Sequence, residues 1–157
     1  MRFRPRQSYR AGFVVPGGED DASALVGTAV GQPRALLPEG HVAPLDEVLG
    51  DGFALLAVDV EQPALPEGEL WEALSPRPLR VLLGDRFPEA GDGAWTTIAD
   101  FDGGVRRALS RARGAYVLVR PDRFVAAVFT PGRVTAVERA LRAAWGEPSA
   151  VAAARSE

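Results

Sequence analysis

Ala115-Tyr116-Val117-Leu118-Val119-Arg120-Pro121-Asp122-Arg123-Phe124-Val125-Ala126-Ala127-Val128-Phe129 is the stretch whose reading decides the fold. Two apolar runs flank a four-residue link with Pro and Asp at turn positions. Ala115–Val119 and Phe124–Phe129 are therefore expected to pair as a tight antiparallel hairpin around Arg120-Pro121-Asp122-Arg123. Downstream, from about Gly132 to Trp145, the residues Val134, Val137, Leu141, Ala144 and Trp145 fall on one stripe at helical spacing. Such a helix covers one face of the sheet to which the hairpin belongs. The last residues, 147–157, read as a flexible tail.

Working back from the hairpin, Asp102 offers an N-cap to a helix with Val105, Ala108, Leu109 and Ala112 on one face and Gly114 at its end. Asp85 to Thr97 is rich in Gly and Pro and reads as loop. Leu79–Leu83 reads as a strand, and Glu69–Leu74 as a short helix halted by Pro76 and Pro78. Phe53–Val58 is a continuous apolar run, the mark of a strand covered on both faces. A helix between two such strands implies a crossover between parallel neighbours. Further back, Leu45, Val48 and Leu49 give a helical turn or two ended by Gly50. Ala35–Leu37 and Val42 flank the turn Pro38-Glu39-Gly40-His41 as a small hairpin.

From Phe53 the order is strand, helix, strand, helix, strand, strand, helix. That is the α/β layout of the thioredoxin fold, with a central mixed sheet, an added N-terminal hairpin and an extended arm. The expected organisation is an arm or linker over 1–34, a thioredoxin-like domain over 35–146 and the tail. In the arm, four arginines fall within the first ten positions, and Pro16-Gly17-Gly18 with Glu19-Asp20-Asp21 breaks any periodic pattern. One reading of this arm is a mobile terminus; the other, on Arg4, Arg6, Tyr9 and Phe13, is an extended segment lying against another protein.

The 157 residues suit one domain, and the chain has no cysteine, which excludes disulfides, zinc-thiolate sites and Cys-x-x-Cys redox pairs. All eighteen basic residues are arginine, so Schiff-base chemistry and a Walker-type phosphate lysine are excluded as well. A net charge of −3 gives no general attraction to nucleic acid. No apolar run approaches the ~20 residues of a membrane span, and the basic N-terminus is not followed by a signal core, so a cytoplasmic location is expected.

Thioredoxin-like redox proteins carry their thiols where the first central strand meets the next helix. Here that junction is Asp59-Val60-Glu61-Gln62-Pro63, with no nucleophile and two carboxylates. His41 is the only histidine, sits in a turn, and has no Gly-x-Ser-x-Gly elbow to work with. Neither a metal-ligand spacing nor a Gly-x-Gly-x-x-Gly fingerprint is present, so no catalytic, cofactor or metal residue is assigned. Arg106, Arg107, Arg111 and Arg113 have the clustering of an anion or nucleic-acid patch but read first as a solvated helix face, and the three tryptophans read as core or interface anchors.

Three stretches together resemble a known family: Val30-Gly31-Gln32-Pro33-Arg34, then Leu45-Asp46-Glu47-Val48-Leu49-Gly50-Asp51-Gly52-Phe53-Ala54-Leu55-Leu56, then Val117-Leu118-Val119-Arg120-Pro121-Asp122-Arg123-Phe124-Val125-Ala126. They resemble the C-terminal thioredoxin-like domain of single-component flavin-dependent aromatic hydroxylases, of the hydroxyphenylpropionate hydroxylase, pentachlorophenol monooxygenase and phenol hydroxylase kind. The resemblance implies that FAD, NAD(P)H and the aromatic substrate are handled by other domains. It also implies that this domain is non-catalytic and aids subunit contact or stabilisation of a flavin hydroxylase core, or self-association. Arg120, Pro121, Asp122 and Arg123 carry over as a structural turn. The alternative is an independent small-ligand binder or enzyme that reuses the fold, with His41 or the stretch from Asp59 to Gln62 as its site.

Overall fold

The apolar run at Phe53–Val58 becomes β3 (Ala54–Val58), and all five of its residues are buried. Its side chains alternate between two cores: Ala54, Leu56 and Val58 enter one, Leu55 and Ala57 the other. The computed structural model describes residues 21–84, 88–89 and 93–145, so Arg4, Arg6, Tyr9 and Phe13 and the expected tail lie outside the described residues.

Among the described residues seven strands form one sheet in the order β2-β1-β5-β4-β3-β6-β7. The others are β1 (Arg34–Leu36), β2 (Val42–Pro44), β4 (Arg77–Leu82), β5 (Thr96–Asp100), β6 (Ala115–Val119) and β7 (Val125–Phe129). β3 runs parallel to β4 with Leu56 opposite Leu79, and antiparallel to β6 with Leu56 opposite Val117. On one face lie α1 (Leu45–Leu49) and α3 (Gly104–Leu109), the latter continued by a 3-10 turn over Ser110–Ala112. The other face carries α2 (Glu69–Leu74) and α4 (Val134–Trp145), which bury Leu70, Trp71, Leu74, Val137 and Leu141 against β3, β6 and β7.

Proline inside β4 is tolerated for a specific reason. Arg77 donates its N–H to Phe53 O at 2.9 Å on the β3 side. The next residue, Pro78, therefore turns its nitrogen toward β5, and pairing with β5 starts only at Leu79 opposite Thr96.

The parallel β3–β4 pair, both hairpins and the covering helix occur where the residues place them, with one strand added. β5 begins at Thr96, inside the stretch expected to be loop, and Thr97, Ile98 and Ala99 are buried. Five residues following a Gly-rich lead carry little local strand signal. Their extended form is set by partners on both sides, β4 in parallel and β1 antiparallel with Leu36 opposite Ala99. Through β5 the N-terminal hairpin becomes part of the main sheet.

Two smaller differences follow. The N-cap of α3 is Gly103, at φ 94°, and not the expected Asp102; Asp102 accepts from Gly104 N at 3.2 Å and Asp100 from Val105 N at 2.9 Å, so two carboxylates serve the start of the helix from outside the cap position. The segment assigned to the arm as far as residue 34 joins the domain earlier. Gly27 N donates to Val125 O, Val125 N donates to Thr28 O, and Val30 is buried with the core at 7% exposure. Backbone pairing with β7 supplies the order that local periodicity does not announce.

Candidate functional site

The junction after β3 is where this fold positions reactive side chains, and here its first residue is consumed by structure. Asp59 adopts a left-handed φ of 49°. Its N–H donates to Val81 O at 2.8 Å, its Oδ1 accepts from Leu83 N at 3.0 Å, and its Oδ2 pairs with Arg113 Nε at 3.2 Å. One aspartate thus ties the ends of β3 and β4 to the turn preceding β6. Val60 packs into the core beneath α2, while Glu61 and Gln62 are exposed. Nothing in this stretch forms a nucleophile and base pair.

His41 does not join that junction. It is exposed in the β1–β2 turn, where its carbonyl accepts from Leu37 N at 2.8 Å. Four strand spacings separate β2 from β3 in the sheet, roughly 19 Å across. Among the described residues no group of three His, Asp or Glu side chains could hold a metal ion. At the start of α3 the amides of Gly104 and Val105 are taken by Asp102 and Asp100, whose charge repels an anion there. The arginines of the α3 region are exposed, and two serve neighbouring structure: Arg106 donates to Leu83 O and Arg113 pairs with Asp59.

The tryptophans follow their anchoring role where they are described. Trp71 is buried, and its Nε1 donates to Glu138 Oε1 on α4 at 2.7 Å. Trp95 stacks on Tyr116 with ring centroids 6.2 Å apart, and Tyr116 lies 5.5 Å from Phe129. The Tyr116 hydroxyl accepts from Ala64 N at 3.0 Å and donates to Ala64 O at 3.1 Å, pinning the loop that leads to α2. The side chain of Trp145 lies outside the described set.

The β6–β7 link carries two guanidinium–carboxylate pairs, Arg120 with Asp122 and Arg123 with Asp46. Arg123 N donates to Arg120 O, Arg120 N donates to Phe124 O, and Arg123 has a φ of 73°. This is a type I turn with Pro121 and Asp122 at its centre, followed by a left-handed residue. Arg120 is only 1% exposed and clasps Asp122 with two bonds, Nε to Oδ1 at 3.0 Å and Nη2 to Oδ2 at 2.7 Å, over the ring of Phe124. Arg123 reaches away from the hairpin. Its Nε donates to Asp46 Oδ1 at 2.5 Å, and its Nη2 donates to Asp46 O and to Gly50 O. A cation thus serves the carbonyl end of α1. Gly50 sits at φ 78°, a conformation that strains any side chain, and a Cβ there would have to displace the Arg77 guanidinium 2.9 Å away.

The reach of Arg123 to α1 is the feature that a turn reading misses. Its signal was present as two motifs, Leu45–Gly50 and Arg120–Arg123, each noted separately. The third stretch meets them too: Val30 N donates to Arg123 O at 3.0 Å, and Leu45 N to Pro33 O at 2.7 Å.

With a parallel β3–β4–β5 core, an antiparallel β6–β7 hairpin and a helix after each half, this chain is an α/β domain of the thioredoxin-like class. Among solved structures, yeast Sco1 aligns with 71% of this chain and 91% of its own, at TM-score 0.50 and 13% identity. A thioredoxin-like protein from Aeropyrum pernix covers 71% of this chain and 89% of its own, at TM-score 0.46 and 15% identity. Residues 27–144 match the family model of the HcaD C-terminal domain, and the chain belongs to that family. It is 31% identical, over 98% of its length, to 3-(3-hydroxy-phenyl)propionate/3-hydroxycinnamic acid hydroxylase 2 of Burkholderia vietnamiensis. It is 33% identical, over 83% of its length, to the corresponding hydroxylase of Comamonas testosteroni. These alignments take in 29% and 23% of the two relatives, so the chain spans under a third of the curated proteins it matches. The resemblance drawn from the three sequence stretches is confirmed. Among the described residues no helix is long and apolar enough to cross a membrane.

Proposed function

We propose that this domain is a non-catalytic unit of an aromatic-ring hydroxylase that stabilises a flavin hydroxylase core or holds its subunits together in the cytoplasm. FAD, NAD(P)H and the phenolic acid are handled by that core. The observation that carries the reading is Asp59. At the position where the fold would present a nucleophile, its carboxylate is spent on Leu83 N and Arg113. The two carboxylates at the start of α3 support the same reading, because they occupy the amides an anionic cofactor would use.

The test is reconstitution. The chain is mixed with a hydroxyphenylpropionate-type hydroxylase core that lacks its own copy of this segment, and the mixture is analysed by size-exclusion chromatography with flavin absorbance as the second channel. Co-elution and a later onset of flavin release on heating are expected. Separate elution at tens of micromolar, roughly the range of weak transient pairs, refutes the contact. FAD retained by the domain alone refutes its non-catalytic character.

A further inference from the structure

Beside α2 lies an open groove of about 790 Å3, lined by Leu65, Pro66 and Pro76 with the buried Trp71 beneath and the exposed Glu67 and Glu72 at its margin. It is built rather than incidental. Tyr116 pins the approaching loop at Ala64, and Glu138 holds the Trp71 ring in place. Leu65 is 38% exposed, large for an apolar side chain in this molecule. From Asp59 to Pro76 the sequence carries five carboxylates and no cation. Among the described residues, neither Glu67 nor Glu72 has an ion pair.

The opposite composition occurs in two stretches, residues 103–121, whose five arginines belong to the folded domain, and the start of the sequence. Residues 1–18 carry Arg2, Arg4, Arg6 and Arg10 and no acid. In an extended chain alternate side chains point to opposite sides. Arg2, Arg4 and Arg6 then form a cationic edge, and Phe3 and Pro5 an apolar one.

We infer that the segment Arg2–Arg10 docks in the α2 groove of its own chain, with Phe3 and Pro5 against Leu65, Trp71 and Pro76, and with Arg4 and Arg6 facing Glu67 and Glu72. Residues 11–20 span up to ~33 Å when extended, about the width of a domain this size. A tether of that length gives the segment a millimolar-range effective concentration at its own groove. The inference goes beyond the role proposed above and does not depend on it: the segment would cover the α2 groove whether or not a hydroxylase core is bound.

The chain has no cysteine, so Ser8→Cys in the full chain gives one site for a nitroxide label. Paramagnetic broadening is then read on the backbone amides of the domain. Selective loss of the Gly68, Glu72 and Ser75 signals is expected, with recovery in Arg4→Glu/Arg6→Glu, in Glu67→Arg/Glu72→Arg, and at ~1 M salt, where screening falls to roughly 3 Å. Amide shifts away from the groove that match those of the parent show that the charge-reversed chain has kept its fold. Broadening elsewhere, or broadening that survives both charge reversals, overturns the proposal. A mixture of labelled unenriched chains with unlabelled 15N chains settles the source: broadening at the same three amides there would place the segment in a second copy and overturn docking on its own chain.

Discussion

Arg123→Ala removes a side chain with three acceptors while leaving the strained backbone in place. The ion pair with Asp46 is partly in water, since the Asp46 side chain is 43% exposed, so its share is about 0.5–1 kcal/mol. The carbonyls of Asp46 and Gly50 lose a cationic partner at the end of α1, about 1 kcal/mol more. The loss therefore comes to about 2 kcal/mol, or about 4–8 °C in Tm for a chain of this length. Arg123→Gly loses the same bonds but relieves the left-handed φ, which costs a non-glycine residue about 1–2 kcal/mol. Calorimetry or urea unfolding should therefore rank the proteins as parent, glycine variant, alanine variant. If alanine melts within about 1 °C of the parent, or glycine melts below alanine, Arg123 does not clamp the hairpin to α1 and the magnitude above is wrong.

Asp59→Ala strands Leu83 N and places alanine at φ 49°, so a loss of about 1–3 kcal/mol in urea unfolding is expected, with Asp59→Asn closer to the parent. Tyr116→Phe should cost about 1 kcal/mol and accelerate hydrogen exchange at the Ala64 amide, an effect absent if the hydroxyl bonds are incidental. The Gly104 N–H, and after it Arg34, hold the Asp102 carboxyl below the usual carboxylate range. A group lowered on folding stabilises above its ordinary value near ~3.9 and loses that contribution as pH falls through its folded midpoint. Carbon NMR should place that midpoint below the ordinary one, and Arg34→Ala should raise it; an unchanged midpoint would remove Arg34 from the explanation.

Where apolar residues run without interruption, sequence and structure agree. β3, β6 and β7 are defined by their own composition, and the α2 helix by the prolines that stop it. β5 was not legible, because Thr96-Thr97-Ile98-Ala99-Asp100 gains its extended form from two flanking strands that no local pattern records. The order over Gly27–Val30 was hidden for the same reason, its hydrogen bonds being made to residues almost a hundred positions away. At the candidate site the absence of a nucleophile was plain from residue types. The positive role of Asp59 was not, since it depends on a left-handed backbone that aims one carboxylate at two elements.

The three stretches on which the family resemblance was read meet in space. Val30, Pro33, Asp46, Gly50 and Arg123 are joined by backbone and guanidinium bonds into one junction between the hairpin, α1 and the entering chain. None of them lies at the end of β3, where the fold would place chemistry. A junction of this kind constrains the residues that build it, because each partner fixes the others and a change in one leaves a buried or half-buried polar group unmatched. It holds the hairpin, α1 and the entering chain to one another, and no reactive pair stands in it. The reconstitution experiment is therefore the more informative one to perform before any search for turnover.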